Sequence, residues 1–469
     1  MKILALMMIL LIPSLGSARP LWVNENGEAQ IDLSVLDEWN GKSGEEISLP
    51  VGDREFVLQL EPSSTPNLGV TSYRGKIDNN PDSFFLLCRG QDGAAVAFFQ
   101  PGDGTAYRLD HTLGYDSIRQ VDYEKTGSCG GGVTPPNLPA IPQLEAQTPR
   151  NSQKAALAAD DGTRHDVLIG YTDGAATAMG GVSFVEAEAQ LSVDAANLAY
   201  VNSGIGSALR LVHVMNVDYN ENAAFSYGDH LDALWIPNDG NMDAVLAMRE
   251  TVGADFLSVL VNGRDLLGEV RTCGIGYVMD AGNVSQNFAS AALSIISVSC
   301  AATSWSFAHE VGHNRGCAHN REDAGVAGAY GYSYGYRWTG FRSVMAYDNS
   351  AMDFVRVPNF SNPSVTYNGV PTGSNTGNAD AAHNALTHAN TNSVAAAFKS
   401  ERTFVEFGWS GTSTGLFVAP YTSITSGLSG SREGGTLVIR NNKTSFIGTL
   451  SSARTYVHVG TGSVLLGGL

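Results

Sequence analysis

The sequence predicts a mixed α/β domain set between two β-rich flanks, and three observations carry that reading. Between residues 164 and 402, apolar runs of strand length alternate with stretches of helical period. Ahead of them, residues 129–163 are rich in Gly, Pro, Ala and polar side chains and lack any sustained apolar period. On either side, at 19–128 and 403–469, short apolar runs are broken by Gly, Asn, Pro or Thr. With 469 residues the chain is too long for one ordinary core, so several domains are expected.

Each element follows in order. Residues 1–18 read as a secretory signal: Lys2 gives the positive end, Ile3 to Ile12 an unbroken apolar run, and Gly16, Ser17 and Ala18 the small residues of a cleavage site. Export, with cleavage near Ala18, would place the mature chain outside the cell, in the periplasm or on the cell surface, where disulfides persist. Residues 19–128 carry the strand-like runs "REFVLQL", "SFFLLCRG", "AAVAFFQ" and "AYRLD". After the expected linker, "HDVLIGYT", "ALRLVHVMNVDY" and "DFLSVLVN" read as strands. "GVSFVEAEAQLSVDAANLAYVNSG" and "NMDAVLAMRETVGA" read as helices between them. In the tail, "TFVEFGWSGTSTGLFVAPYTSITSGL" and "GGTLVIRNNKTSFIGTLSSARTYVHVG" resemble two opening coils of a right-handed parallel β-helix.

Composition excludes some functions. A formal net charge of -18, from Asp+Glu 46 against Lys+Arg 28, disfavours nucleic acid or an anionic membrane as partner. Beyond the start, no stretch approaches the ~18 apolar residues of a membrane-spanning helix. Oligomeric state is not legible.

The most specific stretch is "AHEVGHNRGCAHN". His309 and His313 are four apart, so a helix projects both from one face. Two such imidazoles can reach one Zn²⁺ at about 2.0–2.1 Å, and a catalytic zinc wants three protein ligands and one open position for water. Glu310, beside the first histidine, can take a proton from that water. A third ligand requires the chain to turn; Gly316 can adopt φ > 0 and end the helix, which lets His319 return to the metal. Met345, in "RSVMAYD", supplies the methionine turn that accompanies this spacing, its thioether filling space beneath the histidines without competing for zinc. Nothing in the sequence indicates a structural Ca²⁺, which stays open.

These motifs, with "CGIGYVM" (Cys273 to Met279) and "FSNPSVTYNGVPTG" (Phe360 to Gly373), resemble the metzincin zinc endopeptidases, nearest to reprolysin-like (adamalysin-like) bacterial members. The resemblance covers about residues 164 to 400. It implies a twisted sheet over long helices, a zinc cleft between two lobes, an edge strand around "GIGYV" that receives substrate in extended form, and peptide-bond hydrolysis on protein or peptide substrates. It also implies a disulfide between Cys273 and Cys300. Two positions depart from the pattern. Asn320 follows the third histidine where Asp is usual. Tyr347, two after Met345, has the spacing of astacins and serralysins, in which the tyrosine reaches the metal or the developing oxyanion; the alternative is a packed aromatic with its hydroxyl bonded elsewhere.

The flank at 19–128 resembles a reprolysin propeptide through "YRGKIDNNPDSFFLLC" and "TAYRLD". A thiolate filling the open zinc position would keep such an enzyme latent, and Cys129 in "SCGGG" is placed for that; a disulfide with Cys88 is the equal alternative. Cys317, inside the zinc motif, pairs with another cysteine or stays a buried thiol. In resembling enzymes the segment after the methionine turn walls the pocket for the side chain after the scissile bond. Arg356 in that segment, with Arg342 just before the turn, would favour an acidic side chain there; alternatively Arg356 braces the loop against Asp348 or Asp353. The function expected is a secreted zinc-dependent endopeptidase made as a zymogen. The competing expectation is a surface attachment or glycan-binding protein with a structural zinc site, against which Glu310 argues, because closed structural sites need no general base.

Overall fold

The computed structural model describes residues 19–25, 28–39, 46–61, 67–112, 115–123, 127–136, 138, 160–223, 226–263, 271–348, 354–440, 444–446, 454–459 and 464–466. The signal-like stretch 1–18 and most of the expected linker lie outside them, so neither reading meets a structural observation.

The N-terminal runs form an eight-stranded sheet whose neighbours are antiparallel except for a short parallel pair, Arg19–Pro20 with Ile47–Val51. Successive side chains of a strand point to opposite faces. Here both faces are covered, which is why "SFFLLC" and "AVAFF" read as unbroken apolar runs. Phe85, Leu87, Ala97 and Phe99 fill the sheet's own core with Leu36 and Trp39. Phe84, Leu86, Val96 and Phe98 turn the other way and join the large core of the following domain. Arg108 crosses that junction to a buried ion pair with Glu188 on the long helix Val182–Asn202.

The second domain holds a six-stranded sheet in the order Ser128–Val133, Thr272–Tyr277, Leu293–Ser297, Phe256–Val261, Arg164–Tyr171, Ala208–Asn216. The three expected strands are present, and the helices Val182–Asn202 and Asp243–Val252 fall where their periodicity put them. Thr272–Tyr277 is antiparallel to its inner neighbour Leu293–Ser297; the remaining pairs are parallel. The difference from the sequence reading is Ser128–Val133. Its composition, "SCGGGV", places it at the head of a linker, yet it is a strand paired in parallel with Thr272–Tyr277. The glycines are spatial: a Cβ on Gly132 would meet Val278 Cγ2 at 2.5 Å and His313 Cε1 at 3.3 Å.

The helix that carries the histidines spans Ser306–Asn314. It starts at Ser306 and not earlier, because Trp305 has φ 58 and residues 301–304 are turns. That left-handed conformation is costly for a bulky residue and needs compensation. The indole is fully buried between Phe84 and Phe98, with ring centroids at 5.3 and 5.2 Å. The start of the active helix is therefore held by rings of the N-terminal sheet. In the tail, Arg402–Glu406, Thr436–Arg440 and Thr455–Val459 pair in parallel over a small core of Val405, Ile424, Leu437 and Ile439. Among the described residues no helix is long and apolar enough to cross a membrane.

Phe98→Ala should lower stability by about 3–5 kcal/mol, because it leaves a cavity against Trp305 in a fully buried site. Chemical denaturation of the full chain checks this, and a loss under about 1 kcal/mol means that the sheet does not brace the helix.

Candidate metal centre and substrate cleft

His309 and His313 project from one face of Ser306–Asn314, one turn apart, and Gly316 has φ 87 as the turn requires. His319 then comes back to face them. The three Nε2 atoms converge: His309 to His319 is 3.1 Å and His313 to His319 is 3.0 Å. On the far side of the rings, His309 Nδ1 donates to the Val344 carbonyl at 2.8 Å and His313 Nδ1 donates to the Cys317 carbonyl at 2.9 Å. Those bonds fix the tautomer, so both Nε2 lone pairs point inward. Burial lowers all three histidine pKa values, to about 4 for His313 and about 2 for His319 and well below the usual range for His309. Neutral imidazoles with lone pairs this close repel unless a cation sits between them. The donor set therefore fits Zn²⁺.

Met345 is fully buried beneath the motif; a Cβ on Gly312 would lie 2.6 Å from its Sδ. Only glycine at that helix position lets the thioether pack so close. Glu310 is fully buried and neither carboxylate oxygen has a hydrogen-bond partner. Burial pushes its carboxyl up to about 8, against opposing effects of Cys129 and Arg356. The edge strand makes room for it: a Cβ on Gly274 would sit 2.7 Å from Glu310 Oε1, and one on Gly276 3.2 Å from Oε2. This need for two alternate glycines was not drawn from "CGIGYV", although the spacing is visible there.

Cys273 and Cys300 are joined as a disulfide. It ties the edge strand to the turn before the active helix. The Cys88–Cys129 pairing is not present: both thiols are free, and Cys88 is buried beside Asp194, to which it donates at 3.3 Å. Cys129 instead lies in the ligand cluster, Sγ 3.9 Å from His313 Nε2; its sulfur and the three histidine nitrogens all fall within 4.8 Å of one another. Cys317 is a buried thiol outside that cluster.

Tyr347 stacks near the ligands, its ring centroid 3.9 Å from that of His319, and its hydroxyl donates to the Cys129 carbonyl at 3.0 Å. Its backbone N–H donates to Asn320 Oδ1 at 2.9 Å. Asn320 also donates to Glu322 and Asp323, both at 2.7 Å. An aspartate in its place would set a third carboxylate against those two, which gives the unusual Asn a physical reason. Arg342 pairs with Asp348 at 3.6 Å, whereas Arg356 donates to the carbonyls of Ser304 and Ala346 at 2.8 and 3.2 Å. The bracing contact expected between Arg356 and Asp348 is thus made by Arg342, which lies nearer in the turn; Asp353 is outside the described residues.

Residues 161–362 match the model of metallo-peptidase family M12. The chain is a metzincin-like zinc metalloendopeptidase. It is similar to a peptidyl-Asp metalloendopeptidase of Stenotrophomonas maltophilia, 29% identical over 407 residues, 84% of this chain and 89% of that one. A protein of the same name from Xanthomonas campestris pv. campestris is 33% identical over 234 residues, 50% of this chain and 51% of its own. One from Pseudomonas aeruginosa is 30% identical over 213 residues, covering 42% and 34%. As an endopeptidase the chain acts on protein or peptide substrates, which sets the attachment-protein alternative aside.

Two substitutions test this geometry. Asn320→Asp should lose about 1–3 kcal/mol of stability, since two donated bonds are replaced by like-charge contacts; thermal melts at neutral pH measure it, and an unchanged melting temperature would show Asn320 to be incidental. Gly274→Ala should cut kcat by about 10²-fold or more by displacing Glu310, while zinc content stays at one equivalent by elemental analysis.

Proposed function

We propose that this chain is an exported zymogen of a zinc endopeptidase that cleaves peptide bonds at aspartyl residues, with Cys129 as the latch. The observation that carries the latch is the Cys129 sulfur inside the three-histidine cluster, on a strand that runs parallel to the cleft edge. Three histidines and one thiolate make the closed four-ligand set that leaves no position for water. The signal-like residues 1–18 support export, and the acidic-residue preference rests on the name of the similar bacterial enzymes.

Zn²⁺ held by His309, His313 and His319 supplies a Lewis acid and lowers the pKa of water. Once the segment carrying Cys129 has left, Glu310 is the base that takes the proton from the attacking water and returns it to the leaving amine. Its buried, unbonded carboxylate is free for that work. The Tyr347 hydroxyl, which here holds the Cys129 carbonyl, is aimed to donate to a substrate carbonyl in the same place. The main chain of Thr272–Tyr277, now paired with Ser128–Val133, is then open to pair with substrate. Cleavage within the expected linker 129–163 would release the strand, since few contacts restrain such segments.

Chelation should abolish proteolysis and Zn²⁺ restore it. Glu310→Gln should keep its zinc and lose at least about 10²-fold in kcat; a variant that digests protein at the wild-type rate removes Glu310 from the mechanism. In the unprocessed full chain, Cys129→Ser should raise peptidase activity by about tenfold or more, because sulfur is the better zinc ligand. Equal activity of the two forms means that Cys129 is no latch.

A further inference from the structure

Beside the methionine turn lie two buried arginines with too little negative charge between them. Arg342 and Arg356 donate to the same carbonyl, Ala346 O, at 3.0 and 3.2 Å. Arg356 is 8% exposed. It also donates to Ser304 O at 2.8 Å, but its Nε and the neighbouring Ser304 hydroxyl have no partner. Among the described residues no carboxylate lies within salt-bridge distance of Arg356. Among the described residues the carboxylate that pairs with Arg342 is Asp348, 3.6 Å away and 43% exposed. A buried guanidinium held only by carbonyls is costly, and an unmet N–H adds to the cost. Such an arrangement persists where a partner arrives from outside.

Its position tells which partner. The Ala346 carbonyl belongs to the turn between Met345 and Tyr347, and the Ser304 carbonyl immediately precedes the active helix. Arg356 is thereby anchored between the residue just before Tyr347, whose hydroxyl meets the Cys129 carbonyl, and Ser304, two residues before the helix of His309 and Glu310. The side of the cleft is set by the latch. Ser128–Val133 runs parallel to the edge strand, so the strand enters the cleft at Ser128 and passes Cys129 on its way out. A substrate paired antiparallel, the better-bonded orientation, runs the other way. Its residues after the scissile bond then lie on the Ser128 side of Cys129. Tyr123, five residues before Ser128, donates its hydroxyl to Thr303 O at 3.2 Å, next to the Ser304 whose carbonyl Arg356 holds, and accepts from Gln100 Nε2 at 3.2 Å.

We infer that Arg356, flanked by Arg342, is the receptor for the carboxylate of an acidic substrate residue just after the cleaved bond, and that Tyr123 plugs this pocket in the unprocessed chain. This rests on the endopeptidase reading above and deepens it. Latency is then held at two points, the thiol on the metal and the phenol in the specificity pocket. A phenol suits the second role: it fills the space and bonds to a carbonyl without offering the carboxylate that would make it a substrate side chain. The planar guanidinium suits the first, because its fork matches a carboxylate in two hydrogen bonds.

The test uses processed enzyme and two peptides that differ only by Asp or Asn after the cleaved bond. Wild type should prefer Asp in kcat/KM, and R356Q should lower that ratio by about 30-fold or more, the worth of a charge-assisted bond. R356K keeps the charge but not the fork and should lower the ratio by about tenfold, which guards against a folding defect in R356Q. A folded, zinc-loaded R356Q or R356K with the wild-type ratio overturns the inference while leaving the Asp-directed reading intact. A wild type without preference for Asp overturns both. In the unprocessed chain, adding Y123A to C129S should raise turnover of the Asp peptide about tenfold over C129S alone; no gain removes Tyr123 as the plug.

Discussion

The candidate metal centre depends on hydrogen bonds made on the side of the histidines that faces away from their converging Nε2 atoms. The carbonyls of Val344 and Cys317 take the Nδ1 protons of His309 and His313, which leaves both Nε2 lone pairs inside the cluster. Much of the surrounding fold keeps those two carbonyls in place. Val344 belongs to the methionine turn, whose thioether fits only because Gly312 lacks a side chain. Cys317 follows Gly316, whose positive φ ends the helix and starts the return to His319. A shift in either carbonyl would turn a ring and misdirect a ligand.

The N-terminal sheet is joined to this centre in two ways. Its Phe84 and Phe98 hold Trp305 in a strained conformation at the first turn of the active helix. The chain leaving the sheet then supplies an extra strand to the cleft edge and sets Cys129 among the ligands. A strand edge left open would pair with any extended peptide. Here it is covered by a segment of the same chain, running in the orientation that does not match a substrate paired the other way. The burial of both faces of the sheet explains its sequence: alternation of polar and apolar residues is lost where a strand has no wet side.

What the sequence makes legible is what is local. The histidines, Glu310 and Gly316 fall within one helix and one turn, so their spacing alone specifies their directions. The strands and helices after residue 164 are legible for the same reason. The edge-strand glycines were visible but silent, because their role is to clear space for Glu310, more than thirty positions away. Cys129 was recognised as one of two alternatives; choosing between them needed the distance to His313. "SCGGGV" was read as linker because glycine usually breaks strands, and here the glycines admit Val278 and His313. The left-handed turn at Trp305 is not legible because nothing in its own neighbourhood shows the rings of Phe84 and Phe98. Arg356 was linked to a pocket only through the resemblance, by lying in the segment after the methionine turn, and Tyr123, which comes from the N-terminal flank, carries no local signal at all.

The central claim is that Cys129 completes the metal centre of the unprocessed chain. X-ray absorption at the zinc edge on the purified full-length protein tests it most directly. The account predicts three nitrogen ligands near 2.0–2.1 Å and one sulfur near 2.3 Å, with the sulfur lost after processing. A shell of nitrogen and oxygen alone in the unprocessed chain would contradict it.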